Sequence, residues 1–414
     1  MNTAPHLLDR YQVRVLAILA LINFVNFADR LVVPPLVPLL RDQFGLSSAN
    51  LSLLHIALQI VLSLATVPFA LLADRASRTR IIAAGVIFWS LATFLTGMAH
   101  TFALLLLARS LVGVGEAAYA PAAQSMISGA FPAESRARAQ SVFAAGMLTG
   151  GLSGLALGWI IGHTWGWRPA FFLVGFPGLL LGLSVLRLKE PPRGPKSEVV
   201  PIGRLLAVPA YLAIVFSGVL ITFASIAFFY WGADFVERYT DFRPGEAGLW
   251  LGAALFFSLP LGVLTGGYVA DFLQKRYLYG RVLTIAIASL AAAPFLLWAI
   301  STEEKSYVVA ALFVAGFFMS WYHGPVTAVI HDMMPRRAHA TSVGVYMFVT
   351  QLLGGFGPFV VGKIDDLADL VMGLKLAVGV MVVGALSFLL VIHFIRRDGL
   401  HHPLLDAFRA EADN

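Results

Sequence analysis

The chain contains no cysteine among its 414 residues, and only 13% of them are charged. The lack of cysteine excludes disulfide bonds and thiolate metal sites. The scarcity of charge, together with 58% apolar residues and a mean hydropathy of +0.80, excludes a soluble globular domain. The composition therefore predicts a protein built largely inside a lipid bilayer.

Twelve apolar stretches are each long enough to cross a hydrocarbon core about 30 Å thick as a helix. They lie near residues 13–40, 49–73, 81–99, 101–130, 137–162, 168–188, 207–235, 245–273, 281–300, 306–332, 338–362 and 372–395. The first is about twice the length of a signal-peptide core and lacks an obvious cleavage site, so we expect it to remain as a span. The prediction is an all-α, multi-pass membrane protein with twelve transmembrane helices.

The distribution of Lys and Arg predicts the orientation of these spans. Twenty of the 29 basic residues fall in the N-terminus, the loops after even-numbered spans and the C-terminal tail, whereas seven fall on the opposite side. The positive-inside rule then places both termini in the cytoplasm, and we expect the plasma (inner) membrane as the location. The same rule accounts for the net charge of +6 without a nucleic-acid partner.

A polar segment near the middle of the chain divides the sequence into related halves. Lys189 to Gly203 carries four prolines and five charged residues, which is typical of a solvated linker. Similar loops recur at an offset of about 200 residues, with Asp74 matched by Asp271 and Pro132 by Pro335. We predict two pseudo-symmetric six-helix bundles at 1–188 and 207–396, a cytoplasmic linker at 189–206 and a cytoplasmic tail at 397–414.

Five segments carry a family resemblance that covers essentially the whole chain. The loop after the second span resembles the G-x3-D-R-x-G-R-K motif of the major facilitator superfamily, with Ala70 and Ser77 in place of its glycines and Thr79 between basic residues. Within that superfamily the chain is similar to Spinster-type lipid transporters. The segments that indicate this are NFVNFADR (23–30), ARSLVGVGEAAYAP (108–121), FPAESRARAQSVF (131–143) and KEPPRG (189–194). Part of this pattern also occurs in related anion:cation symporters.

Asp29, Arg30, Arg109 and Glu116 lie within two of the apolar spans. A charge at mid-bilayer costs about 2.5–3.5 kcal/mol, so such residues usually mark an ion or substrate pathway. Helical rise places Asp29 and Glu116 near mid-depth. One interpretation is that the carboxylates form structural ion pairs with Arg30 and Arg109. The other, favoured by resemblance to proton-coupled family members, is that Asp29 and Glu116 exchange a proton during transport.

The two intramembrane arginines are candidate sites for an anionic head group. A guanidinium can bind phosphate or carboxylate through two parallel hydrogen bonds, so Arg109 either binds substrate or pairs with Glu116, and Arg30 is a second candidate for binding substrate. Aromatic residues of spans seven and ten form interfacial belts or an apolar cavity wall. For the second possibility we predict substrate contacts from Phe228, Tyr230, Trp321 and His323, although His323 can equally be a core histidine.

The charged loop after span two has two possible roles. It sets the orientation of the protein in the membrane, or it sets the orientation and also controls the conformation of the transporter. Its basic residues are explained by topology alone. The family resemblance implies further that Asp74 meets a helix N-terminus of the other half and favours one conformation. On this basis we predict a conformational latch of Asp74, Arg75, Arg78 and Asp271.

The motifs of common enzymes are absent, since neither HExxH nor GxSxG occurs. The expected class is therefore a transporter rather than an enzyme, without a metal or other cofactor, and we expect a monomer. The resemblance implies transport of an amphipathic, anionic lipid such as a lysophospholipid or sphingolipid, coupled to protons, by alternating access. The alternative is a proton-coupled symporter of a small organic anion.

Overall fold

The computed structural model describes residues 9–131, 133–191, 202–242, 246–334 and 338–398. Within these ranges the regular structure is helical throughout, and no β-strand is present. Twelve of the helical segments are long and apolar enough to cross a membrane. The predicted fold class is confirmed.

Sixteen α-helices make up the described part of the chain. They are α1 (Arg10–Leu31), α2 (Val37–Phe44), α3 (Ser48–Arg75), α4 (Arg78–Gly97), α5 (Phe102–Ala130), α6 (Ala133–Trp165), α7 (Trp167–Val185), α8 (Ile202–Leu206), α9 (Pro209–Tyr239), α10 (Glu246–Gln274), α11 (Gly280–Ala299), α12 (Lys305–Met319), α13 (His323–Met333), α14 (His339–Gly354), α15 (Gly357–Leu367) and α16 (Leu370–Asp398).

Three spans are built from two helices each. In the first span, a 3-10 turn at Pro34–Leu36 separates α1 from α2, because proline lacks the N–H that would continue the helical hydrogen bonds. A 3-10 turn at Ser320–Tyr322 joins α12 to α13, and a break after Gly354 separates α14 from α15. These breaks place irregular backbone at membrane depth, where neighbouring helices must satisfy it.

The chain divides into two compact units. The first comprises Met1–Leu46 and Leu53–Pro195, and the second comprises Ser47–Ser52 and Lys196–Asn414. Within the first unit α1 packs along α6 and α4 packs between α5 and α7. Within the second unit α9 packs against α14 and α16.

Glycines allow α6 to pack directly on the backbone of α1. A methyl group added at Gly146, Gly150 or Gly154 would overlap the carbonyl oxygen of Ala20, Phe24 or Ala28, respectively. Small residues of this kind let membrane helices approach closely and gain van der Waals contact. The four-residue glycine spacing therefore forms a packed helix–helix interface in the first unit.

Candidate functional site

The four intramembrane charges of the first unit form two ion pairs between α1 and α5. Arg109 Nη1 donates to Asp29 Oδ1 at 2.9 Å. Arg30 donates to Glu116 Oε2 through Nε at 2.7 Å and through Nη2 at 2.6 Å. Asp29 and Arg30 are adjacent on α1, and their helical separation of about 100° directs them to different partners. The structure thus pairs Arg109 with Asp29 and not with Glu116.

The two pairs differ in their access to solvent. Asp29, Arg109 and Glu116 are buried, whereas the side chain of Arg30 is 26% exposed. Breaking a buried pair by removing one partner costs about 3–5 kcal/mol, because the remaining charge loses its compensation. Asp29 and Arg109 are therefore held firmly together, and Arg30 is the cation that an anion can reach.

Sequence reasoning missed two polar side chains in this cluster. Thr93 of α4 is buried and donates its hydroxyl to Asp29 Oδ2 at 2.7 Å. His55 of α3 is half-buried and interacts electrostatically with Arg30 and Arg109. Neither residue follows a motif or interrupts an apolar run as an unusual charge, so the sequence contains no signal that distinguishes them. The site consequently draws on α1, α3, α4 and α5.

Some polar atoms of the cluster lack a hydrogen-bond partner within the described ranges. They are Asn26 Nδ2, Arg109 Nε and Glu116 Oε1, and all three are buried. Buried polar atoms in proteins are nearly always satisfied, so an unsatisfied group calls for an explanation such as a water, an ion or a functional role. Glu116 Oε1 can therefore accept a proton or a hydrogen bond, whereas Asn26 Nδ2 and Arg109 Nε can each donate a hydrogen bond to a bound molecule.

Aromatic rings flank both arginines. The Arg30 guanidinium carbon lies 5.2 Å from the centre of the Phe27 ring, and that of Arg109 lies 5.9 Å from the centre of the Phe171 ring. Both distances are within the range of cation–π attraction. These rings help hold the positive charges in a setting of low polarity.

The predicted substrate residues of the second unit have different environments. The Tyr230 hydroxyl donates to the carbonyl oxygen of Leu51 at 2.6 Å, and its ring is buried beside Trp231. Phe228 is half-buried. Trp321 packs against Phe317 and Phe318, and among the described residues its buried Nε1 has no hydrogen-bond partner. The side chain of His323 lies outside what the structure describes.

Arg78, one of the predicted latch residues, is buried at the start of α4. Its Nε donates to Glu190 Oε1 and its Nη1 to Ser125 Oγ, both at 3.0 Å, and its Nη2 donates to the carbonyl oxygen of Pro191. Partial burial raises the pKa of Glu190, but hydrogen bonds from Arg78 and Ser77 outweigh this effect and lower the pKa below the ordinary glutamate value. Arg78 therefore fixes the segment after α7 to the ends of α4 and α5.

Asp271 occupies the corresponding region of the second unit. It accepts hydrogen bonds from Arg281 Nη2 at 2.8 Å and Nε at 3.2 Å, and Arg281 Nη1 also donates to Asp332. Arg281 follows Arg78 by 203 residues, the same offset that separates Pro132 from Pro335. That offset was the sequence signal that could have identified Arg281.

The remaining latch residues, Asp74 and Arg75, lie in the last turn of α3, and their side chains are outside what the structure describes.

No group of three or more potential metal ligands occurs in the described ranges.

In the part of the chain that the structure describes, twelve candidate spans in two units, with charges held inside the first, are typical of a polytopic membrane transporter. The Major Facilitator Superfamily matches residues 19–358, and the chain belongs to this family. Within it the chain is similar to Spinster proteins, as its sequence segments predicted.

Two relatives and one solved structure illustrate this similarity. Protein spinster homolog 1 from Xenopus tropicalis is 27% identical, over 94% of this chain and 82% of its own. The sphingosine-1-phosphate transporter SPNS2 from Danio rerio is 28% identical, over 84% of this chain and 75% of its own. The crystal structure of a bacterial homologue of the human lysosomal transporter Spinster, inward-facing and unoccupied, has a TM-score of 0.84 and 24% identity, covering 94% of this chain and 98% of its own.

Proposed function

We propose that this transporter moves an amphipathic, anionic, lipid-like molecule by alternating access and couples the movement to protons. The observation that carries the proposal is the Arg30–Glu116 pair. It joins a partly exposed cation to a buried carboxylate whose Oε1 has no partner in the described part of the chain. In such a pair Arg30 can release one anion, the Glu116 carboxylate, and bind another in its place, the head group of a substrate.

Protonation of Glu116 would favour this exchange. A neutral carboxyl attracts Arg30 less strongly than a carboxylate does, so proton binding frees the guanidinium for an incoming phosphate or carboxylate. When the substrate leaves, Arg30 pairs with Glu116 again and favours loss of the proton. Protonation of Asp29 would weaken its attraction to Arg109 in the same way, and Thr93 is the second group that donates a hydrogen bond to Asp29.

The lipid-like class of substrate rests on two features. The guanidinium of Arg30 suits an anionic head group, and Arg109, although more deeply buried, is a second candidate. We assign Phe228, Tyr230, Trp321 and His323 to an apolar wall that contacts the rest of the substrate. The indole N–H of Trp321 is available for a polar group of that substrate. The Danio rerio relative is named for a lipid phosphate, and we extend that class to this chain.

The proposal includes the arrangement of the whole carrier. The six-helix bundles at 1–188 and 207–396 move relative to each other, joined by the linker at 189–206 and followed by the tail at 397–414. Both termini lie in the cytoplasm of a cell bounded by the plasma (inner) membrane, and the functional form is a monomer. Asp74, Arg75, Arg78 and Asp271 favour one conformation of this cycle.

Proteoliposome uptake of a labelled lysophospholipid, with and without an imposed pH gradient, tests the proposal. We expect the gradient to stimulate uptake by the wild type and to have no effect on Glu116→Gln, because an amide cannot gain or lose the proton. Glu303→Gln, the same chemical change in an exposed loop, is the matched control and keeps the stimulation. Stimulation that persists in Glu116→Gln would exclude coupling through this residue.

The alternative substrate class is a small organic anion moved with protons, which the same ion pairs would also serve. Competition separates the two classes. If a lysophospholipid at concentrations below its micelle threshold displaces bound substrate, the lipid class is supported. If active protein shows neither lysophospholipid flux nor competition, the small organic anion is favoured.

A further inference from the structure

An apolar groove lies on the first unit, away from the charged cluster, where the end of α6 meets the start of α7 and the last part of α4. The groove is shallow and largely open, with a volume of about 410 Å³. The side chains that line it are almost entirely hydrocarbon or aromatic, namely Phe94, Ile161, Trp165, Phe172, Leu173 and Phe176.

The groove opens to the surface that these spans present to the membrane. Trp165 is 74% exposed and Phe176 is 55% exposed, and both belong to helices long and apolar enough to span a bilayer. Hydrocarbon, not water, surrounds such surfaces, so an apolar groove there is filled by lipid chains. A lipid chain that enters the groove loses contacts with mobile neighbouring lipids and gains contacts with aromatic rings that the protein holds in place.

Arg168 is next in the chain to a residue of the groove and contacts the carbonyl just beyond the end of α4. Arg168 directly precedes Pro169, which also lines the cavity. Its guanidinium carbon lies 4.3 Å from the centre of the Trp167 ring, while Nη2 donates to the carbonyl oxygen of Ala99 at 2.9 Å and Nη1 to Gln43 Oε1 at 3.2 Å. All these partners are uncharged, and no carboxylate of the described ranges pairs with Arg168. These contacts hold its position and leave its charge without an acidic partner among the described residues.

We propose that the groove binds an acyl chain of an anionic membrane phospholipid whose head group pairs with Arg168. The location is consistent with this ligand, because α7 begins at Trp167, where aromatic and basic residues meet the head groups of a bilayer. Guanidinium groups bind phosphate well and have five N–H donors, of which the neighbouring carbonyl and amide use only two. The ligand is a resident lipid of the bilayer, distinct from the transported substrate.

Photo-crosslinking of the full-length protein in nanodiscs tests this site. The nanodiscs contain phosphatidylcholine with a small fraction of phosphatidylglycerol that carries a diazirine on its acyl chain, and labelled peptides are mapped by mass spectrometry. We expect labelling to concentrate between residues 161 and 176 and to be displaced by unlabelled phosphatidylglycerol. Arg168→Gln should lower this labelling about fivefold, the effect of one basic residue near an anionic lipid surface.

Two further variants test the groove itself. Leu173→Trp fills the cavity and should abolish the concentrated labelling. Phe176→Ala should weaken it, whereas Phe216→Ala, a change at a phenylalanine of similar exposure on α9 in the second unit, should leave it unchanged. Background labelling of the second unit reports that each variant is folded. Uniform labelling of all spans, equal displacement by phosphatidylcholine, or an unaffected Leu173→Trp would each overturn the proposal.

Discussion

Asp29 receives hydrogen bonds from two helices, through Arg109 of α5 and Thr93 of α4. The sequence predicted that Asp29, Arg30, Arg109 and Glu116 share one membrane region, since each is a costly charge in an apolar run. The pairing that it offered for Arg109, with Glu116, is wrong, because Arg109 binds Asp29. That choice depends on the rotation and separation of helices far apart in the chain, and hydropathy contains no such information.

Thr93→Val provides a test of the bond to Asp29. The substitution keeps the volume of the side chain but removes the donor, and leaving a buried acceptor without a partner costs about 1–3 kcal/mol. We expect a lower free energy of unfolding and a lower thermal transition, measured by intrinsic fluorescence in detergent. In Thr164→Val the lost hydroxyl bonded only to the carbonyls of Ile160 and Ile161 in its own helix, and the change should stay within about 0.5 kcal/mol. Equal losses in both variants would contradict the assigned role of Thr93.

At the level of helices, apolar length predicted the spans well, because crossing a bilayer requires about twenty apolar residues regardless of their neighbours. The breaks within the first, tenth and eleventh spans were not predicted. Hydropathy does not register an interruption in backbone hydrogen bonding, as at Ser320–Tyr322, when the surrounding window remains apolar. The sequence also does not identify α1 as the helix that packs on the glycines of α6, because that choice depends on the tertiary arrangement.

Gly154→Ala tests the interface between α1 and α6. The added methyl group would overlap the backbone of Ala28, so we expect a loss of about 1–3 kcal/mol in the free energy of unfolding. Gly232→Ala in α9 meets nothing within 4 Å and should be neutral or stabilising by up to about 1 kcal/mol, since alanine favours the helix. Thermal unfolding of the two variants beside the wild type gives the comparison. A harmless Gly154→Ala would show that the helices are not packed closely there.

At the level of the whole molecule, repetition was visible from loop spacing and is also present in side-chain contacts. Arg78 bonds to Ser125 near the end of α5, and Arg281 bonds to Asp332 near the end of α13. Each unit thus uses an arginine at the start of one helix to hold the end of another. The repeat is therefore present both in the hydropathy pattern and in individual hydrogen bonds, although the partner of Arg78 is a neutral serine and that of Arg281 is an aspartate.

The natural lack of cysteine allows a direct test of the proposed orientation. Single cysteines placed at Tyr277 and Ser301 lie in exposed turns on either side of α11. With both termini in the cytoplasm, a membrane-impermeant maleimide added to intact cells should label Ser301→Cys but not Tyr277→Cys. After the membrane is opened, both should react. The reverse pattern in intact cells would invert the topology inferred from the basic residues.

The two ion pairs also constrain how this sequence can evolve. Asp29 and Arg109 are both buried, so replacing one of them alone strands its partner's charge. Replacing both with apolar residues of similar volume is far less harmful, but that path passes through an unstable single variant. Among descendants of this chain, positions 29 and 109 are therefore expected to change together or not at all, and the partly exposed Arg30 has more freedom to vary.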